Sequence, residues 1–232
     1  MIAIIGAMKK ETDTLISMLD RDECERISGT DFHRGRIGEC EVVICSGGIG
    51  KVAAAICTEA VILRYNPELI INTGVAGAIS SELDICDVVI SSDVVQYDMD
   101  TSAIGDPVGF VSGVNMIYFP ADEKTADKMK DIINSLGSIK ALVGTVASGD
   151  RFVAGLEMKK AITDNFPGAL CCEMEGASIG MTAYVNGVPF VVIRSISDNV
   201  DTEDTMDYAE FSTIAAENSV KVVSEFLRSY GK

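Results

Sequence analysis

Apolar residues fall into two alternating patterns along this chain. Short runs that are apolar at nearly every position predict strands at Ile2–Gly6, Phe32–Arg36, Glu41–Ser46, Leu69–Thr73, Asp87–Gln96, Ala141–Ala147, Leu170–Glu173 and Phe190–Ser195. Between them, apolar residues recur three and four apart, which predicts helices at Lys9–Leu19, Lys51–Leu63, Asp122–Leu136, Leu156–Asn165 and Ala177–Val185. A last helix has its apolar face marked by Phe211, Ile214, Ala215, Val222, Val223, Phe226 and Leu227. Asp207 with Glu210 reads as a capping box at its start. The strands LIINT, FVVIRS and ALCC are apolar on both faces, the pattern of a sheet covered by helices on both sides. Alternation of strand and helix predicts an α/β fold with a mostly parallel sheet and right-handed crossovers.

No linker, repeat or low-complexity segment interrupts the 232 residues, so residues 1–232 read as a single domain with a substantial core. The stretch Thr101–Phe119 reads as a long loop, of the kind that serves as a lid, an interface arm or a mobile connection. Thirty-five acidic against 19 basic residues give a formal charge of −16, which argues against nucleic acid or an anionic membrane as partner. It leaves room for a neutral small molecule. The N-terminal MIAIIGAMKKETD lacks the basic region and long apolar core of a signal peptide, so a cytoplasmic location is expected. The cysteine count, seven, is odd, and no CxxC occurs. Free buried thiols in a reducing compartment are therefore expected, rather than disulfides or zinc.

In open α/β sheets ligands bind beyond the carboxyl ends of the strands. The segments that follow the strands here are GAMKKE, GGIGK, GVAGA, SGDRFV, EMEGA and SISD. Three are glycine-rich. Gly47-Gly-Ile-Gly50-Lys51 resembles a phosphate loop but lacks the GxxxxGK[ST] spacing, and tight strand-to-helix turns explain its glycines as well as ligand approach does. Asp150 before Arg151 reads as an ion pair or a helix cap. The acidic run from Asp198 to Asp207 lacks the order of a calcium loop. His33 is the only histidine, which disfavours Ser–His or Cys–His catalysis and a zinc hydrolase; no metal and no cofactor are expected. What remains is carboxylate chemistry. Glu11, Glu175 and Asp198 sit at strand ends expected to share one edge, with Glu173 beside them. One carboxyl can protonate a leaving group, one can take a proton from water and one can face a developing oxocarbenium charge, which is the inventory for cleaving an N-glycosidic bond.

The segments GAMKKE, INTGVAGAI, ASGDRFV, CCEMEGAS and NGVPFVVIRSISDNVD resemble the 5′-methylthioadenosine/S-adenosylhomocysteine nucleosidases of the nucleoside phosphorylase superfamily, from residue 2 to the last helix. The resemblance implies a central mixed sheet, partly closed into a barrel and flanked by helices, a homodimer, and hydrolysis of the adenine–ribose bond in methionine salvage. It implies Asp198 as the acid that delivers a proton to adenine N7, oriented by Ser197, and Glu11 as the base that activates water, with Arg194 holding Glu11 or the water. Glu175 would accept hydrogen bonds from the ribose hydroxyls and Met174 would pack beneath the sugar. The backbone at Val153 would read the adenine edge while Phe152 stacks on the ring, and Ala76 and Gly77 would let the backbone approach the base. Met8, Ile49 and Tyr208 would line an apolar alkylthio pocket. Two positions depart from the family pattern: Val75 stands where many members have serine, and Tyr97 where a histidine is common. The substrates implied are 5′-methylthioadenosine and S-adenosylhomocysteine, with 5′-deoxyadenosine as a further one, and the same carboxylates would serve a rival hydrolase of another adenosine derivative such as 6-amino-6-deoxyfutalosine. A purine nucleoside phosphorylase and a non-catalytic nucleoside-binding module are the other readings.

Overall fold

The computed structural model describes residues 1–137, 139–199 and 206–230, with the side chains of residues 206–210 left outside the description. Along the chain run β1 (Ile2–Gly6), α1 (Lys9–Ser17), β2 (Glu23–Ile27), β3 (Thr30–Ile37), β4 (Cys40–Ser46) and α2 (Lys51–Tyr65). They are followed by β5 (Leu69–Ala78), β6 (Val88–Gln96), a 3-10 turn at Ser102–Ile104, β7 (Tyr118–Pro120), α3 (Glu123–Leu136) and β8 (Ala141–Ser148). The chain closes with α4 (Leu156–Asn165), β9 (Ala169–Glu173), α5 (Gly176–Val185), β10 (Phe190–Asn199) and α6 (Met206–Ser229).

One sheet joins the described strands in the order β10-β6-β8-β9-β5-β1-β4-β3-β2, with β7 on β6 and a further pairing of β10 with β5. That last pairing closes β5, β10, β6, β8 and β9 into a ring. Closure depends on the length of β5. One edge pairs Leu69–Asn72 with β1 and then hands over to β9 at Gly77 and Ala78, while the other edge keeps β10 from Ile70 to Ala78. The sheet is mixed rather than mostly parallel. Strand pairs such as β1–β4, β6–β8 and β8–β9 are parallel, but β10–β6, β5–β9 and the β2–β3–β4 meander are antiparallel. Alternation of strand and helix could not report this, because β6 and β9 enter the ring against the direction of a neighbour.

β1 is buried along its whole length, and its side chains divide the core. Ala3 and Ile5 face a cluster built with α2 and α5 (Cys57, Val61, Ala177, Ala183), while Ile2 and Ile4 face one built with α3 and α6 (Met129, Ile133, Val223, Phe226). Helices therefore cover both sides of the sheet, as the doubly apolar strands require.

Several expectations need correction. β2 was not legible, because ECERI is a solvated edge strand with no apolar period; charged residues there suit an edge that must not pair further. The segments GVAGA and SISD are not turns but continuations of β5 and β10. The stretch Thr101–Phe119 is not without structure: it holds the 3-10 turn, a bridge between Val111 and Met116, and the start of β7. Ile214 is half exposed, since α6 turns its small residues Ala215, Ala216 and Ser219 to β5; Ala215 and Ala216 pack on Val75, and Ser219 Oγ donates to the Gly74 carbonyl at 2.8 Å. The capping residues Asp207 and Glu210, like Tyr208, lie outside the described side chains. Cys24 is exposed rather than buried. No helix among the described residues is long and apolar enough to cross a membrane.

Candidate active site

At the mouth of the closed ring, the carboxyl ends of β1, β4, β5, β8, β9 and β10 open onto a cleft. Glu11, Glu175, Asp198, Met8, Ile49 and Met174 line it, with Ala76, Gly77, Phe152, Val153 and Ser197. Ala7, Val75, Arg151, Cys172 and Glu173 also line it, and the sequence reading had not placed these five among the binding residues. Arg194 lies beneath the cleft. Ile49 and Phe152 stand at its mouth, 60% and 47% exposed.

Glu11 owes its position to the turn from β1 into α1. Its Oε2 accepts the backbone N–H groups of Ala7 and Met8 at 2.8 and 2.9 Å, donors that the start of the helix leaves without an intrahelical partner. Fixing Oε2 there turns Oε1 toward β5. A Cβ built on Gly74 would lie 2.8 Å from Glu11 Oε1 and 2.1 Å from Arg194 Nη1, so only glycine leaves room for the two groups to converge.

Asp198 owes its position to an irregular strand. The register of β10 on β5 passes from Ile196↔Ala76 to Asp198↔Gly77, leaving Ser197 as an extra residue. A bulge of this kind re-aims side chains, and it brings both Ser197 and Asp198 to the cleft, where a regular strand would send neighbours to opposite faces. Ser197 Oγ donates to Asp198 Oδ1 at 2.6 Å.

The two glutamates of CCEMEGA divide the work. Glu173 ends β9 and is consumed by structure. It accepts the N–H groups of Glu175 and Gly176 at the start of α5, the Ser148 hydroxyl and the guanidinium of Arg194. Glu175, one turn of chain further on, takes the Gly50 N–H on Oε1 at 2.9 Å and has Oε2 3.6 Å from Arg194 Nη2. Burial first, and then the charge of Glu173, push its carboxyl up to about 7, against the pull of Arg194 and the Gly50 N–H in the other direction.

Arg194 is 1% exposed, and its hydrogen bonds go to Asn72 Oδ1 at 2.7 Å and to Glu173. Of the two roles expected for it, holding Glu11 or the water, no hydrogen bond to Glu11 is formed, and Glu11 is anchored through Oε2 by backbone amides instead. Burial alone would lower the guanidinium's pKa, but Glu173, Glu175 and Glu11 outweigh it and raise it. Asn72 was missed by sequence reasoning, yet a signal existed: an amide in the middle of the apolar strand LIINT. Its Nδ2 donates to the Ile5 carbonyl at 2.8 Å, so it ties β1 to the guanidinium. The glycine loop does not present its lysine as a phosphate site would, because Lys51 Nζ is held by Asp98 Oδ1 at 2.5 Å. Asp150 is a helix cap, accepting the Lys51 N–H at the start of α2 at 2.7 Å.

Comparison with known proteins agrees with this geometry. Residues 1–228 match the family model of the phosphorylase superfamily. A 5′-methylthioadenosine/S-adenosylhomocysteine nucleosidase of Shewanella halifaxensis is 38% identical over 227 residues, covering 98% of each chain. The fold superposes on the S-adenosylhomocysteine nucleosidase of Streptococcus pyogenes, solved with 5-methylthiotubericidin, with a TM-score of 0.94 and 31% identity over 100% of this chain and 97% of that one. It also superposes on a futalosine hydrolase of Helicobacter pylori, with a TM-score of 0.93 and 32% identity over 98% and 97% of the two chains. By model, by sequence and by fold, the chain belongs to the phosphorylase superfamily and, within it, to the 5′-methylthioadenosine/S-adenosylhomocysteine nucleosidases.

Proposed function

We infer that this chain hydrolyses the N-glycosidic bond of 5′-methylthioadenosine and S-adenosylhomocysteine, releasing adenine and the 5-thio-substituted ribose. The observation that carries the reading is the charge of the cleft. Glu11, Glu173, Glu175 and Asp198 all line it, while Arg194, buried beneath it, is committed to Glu173 and Asn72, and Arg151, the one cation among the described lining residues, is exposed. Such a field repels inorganic phosphate and favours a cation-like transition state, so water rather than phosphate is the nucleophile.

In the mechanism, Asp198 holds the base edge at N7 and N6 and delivers a proton to N7, because adenine leaves poorly as an anion. Ser197 orients its carboxyl. Phe152 stacks on the base, the backbone at Val153 reads its edge, and Ala76 and Gly77 let the strand lie close beneath it. Glu175 accepts the ribose hydroxyls and faces the positive charge that develops on the sugar, with Met174 packed below. Glu11, held through Oε2, presents Oε1 to the attacking water and takes its proton. Met8 and Ile49 give the 5′ substituent an apolar wall, where each buried methylene-sized group contributes about 0.8 kcal/mol. The carboxylate set would serve a futalosine-type substrate equally well, and the 5′ wall decides between the two.

We further propose a homodimer in the cytoplasm, serving methionine salvage. Ile49, Phe152 and Leu156 around the cleft and Val52 and Ile56 on α2 are large apolar side chains left exposed on the single chain. Cys45 and Cys57 lie with their sulfurs 3.4 Å apart and unbridged, which suits a reducing compartment. Sedimentation equilibrium is expected to give twice the chain mass of 24.7 kDa; a monomer at micromolar concentration would refute the dimer.

Adenine release from methylthioadenosine is expected to proceed at full rate in phosphate-free buffer and to yield free methylthioribose. Dependence on phosphate, with a sugar 1-phosphate as product, would make the enzyme a phosphorylase. Asp198→Asn keeps the shape but has no acidic proton, and kcat should fall about 10²- to 10⁴-fold with the far-UV circular dichroism unchanged. Near-wild-type turnover would remove Asp198 from the acid role.

Glu175 gives a prediction of opposite sign to the usual carboxylate. Its native pKa, about 7, lies above the ordinary 4.5, so the native state keeps a proton that the unfolded chain has already released. Stability from this group is present below about pH 4.5 and is lost as pH rises toward 7. Glu175→Gln should therefore be more stable than wild type at pH 8, by about 1 kcal/mol or more, with the advantage gone at pH 4.5. Urea titrations of both proteins at the two pH values measure this, and an advantage that does not depend on pH would contradict the assignment.

A further inference from the structure

The glycine loop that touches Glu175 is itself held by three residues outside the proposed chemistry. Gly50 has φ of +92° and donates its N–H to Glu175 Oε1. The next residue begins a closed ring of hydrogen bonds. Lys51 N–H donates to Asp150 Oδ1 at 2.7 Å, Asp150 N–H donates to Asp98 Oδ2 at 2.8 Å, and Lys51 Nζ donates to Asp98 Oδ1 at 2.5 Å. Gln96 Oε1 takes a further bond from Lys51 Nζ at 3.2 Å, and Ser178 Oγ of α5 donates to the Lys51 carbonyl at 2.6 Å. The Lys51 and Asp98 side chains are 18% and 22% exposed, so the pair is partly shielded from salt and water. A Cβ on Gly50 would stand 2.9 Å from Asp150 Oδ1, which is why the ring closes over a glycine.

The ring joins three segments with separate duties. The start of α2 carries the Gly50 donor, the segment after β8 carries Asp150 and runs on to Phe152 and Val153, and the segment just past β6 carries Asp98. Beside the ring, the segment at Gly50 is held by the Ser178 hydroxyl on the Lys51 carbonyl and by the Ala54 N–H on the Gly50 carbonyl in the first turn of α2, and neither of these contacts reaches the base-side loop or the segment just past β6. We propose that Asp98 and Lys51 are positioning residues: they lock the Gly50 N–H onto Glu175 and, through Asp150, hold the base-side loop in register with the ribose side. The proposal rests on the reading of Glu175 as the ribose-binding carboxylate.

The test compares kcat/KM for methylthioadenosine and its 3′-deoxy counterpart in wild type, Asp98→Asn, Lys51→Met and Lys51→Arg. Wild type should prefer the full ribose by about tenfold or more, the loss expected when a hydrogen bond to a charged group is removed. In Asp98→Asn and Lys51→Met the preference should shrink to within about threefold, and the rate on the full substrate should fall about tenfold. Lys51→Arg, which keeps a cation on Asp98, should retain most of the preference. A merely structural role would lower both substrates together and leave their ratio intact; that result overturns the proposal. A wild type with no preference overturns the ribose role of Glu175, and the positioning role falls with it. Thermal melts identify any variant that fails to fold, and the near-isosteric Asp98→Asn then carries the comparison.

Discussion

A guanidinium sealed inside the protein governs the arrangement of the cleft. Arg194 is almost wholly buried, and a buried charge is tolerated only when it is paired and hydrogen-bonded. Its partners come from elsewhere in the fold: Asn72 from the middle of β5, Glu173 from the end of β9 and, at longer range, Glu175 from the start of α5. The sheet must therefore close for the charge to be satisfied, because β5, β9 and β10 meet only in the ring. Burying an ion pair of this kind adds little net stability compared with apolar packing, but breaking it by removing one partner is costly. Its value lies in holding neighbouring elements at one distance.

Glycine at position 74 follows from the same constraint. Arg194 and Glu11 need the space where a side chain of β5 would stand, so β5 yields it. Ser219 of α6 takes the Gly74 carbonyl from the far side, and the small residues of α6 let that helix come close enough to do so. Glu11 is then held from two directions: backbone amides grip one oxygen while the sheet leaves an open path to the other. The bulge at Ser197 is the matching device on β10, paired with β5 on the same side of the ring. The carboxyls of Glu11 and Asp198 are thus both aimed by backbone features, a helix start and a bulge.

These features explain what could be read from the sequence and what could not. Doubly apolar strands such as LIINT and FVVIRS announced a sheet buried on both faces, and the helix positions followed the three-and-four spacing closely; α4 occupies Leu156–Asn165 as expected. Carboxylates at strand ends were legible because charge is costly where strands are buried. Strand direction was not legible, since an apolar run has no polarity. Nor was ring closure, which depends on β5 changing partners halfway along one edge. β2 was hidden because it is held by pairing with β3 and offers no apolar face to the core. Within the site, Glu173 and Glu175 could not be assigned apart from composition alone. Their fates diverge because the backbone turns between them: Glu173 meets the N–H groups at the start of α5, while Glu175 meets the Gly50 N–H across the cleft.

That divergence bears on how the site could lower a barrier. A carboxylate fully satisfied by amides and a guanidinium, as Glu173 is, has little left to give a new positive charge. Glu175 has one amide hydrogen bond and a guanidinium at 3.6 Å, and burial with its neighbour Glu173 raises its proton affinity. An under-compensated negative charge in a shielded place gains most when a positive charge appears beside it. The ground-state substrate is neutral at the sugar, whereas an oxocarbenium-like transition state is not. The interaction therefore strengthens along the reaction coordinate, which is the condition for binding energy to accelerate chemistry rather than merely to hold the substrate. Arg194 bonds Glu173 directly and Glu175 only at 3.6 Å, so the same buried guanidinium that ties the ring together leaves the second carboxylate the less compensated of the two, as the proposed role at the sugar requires.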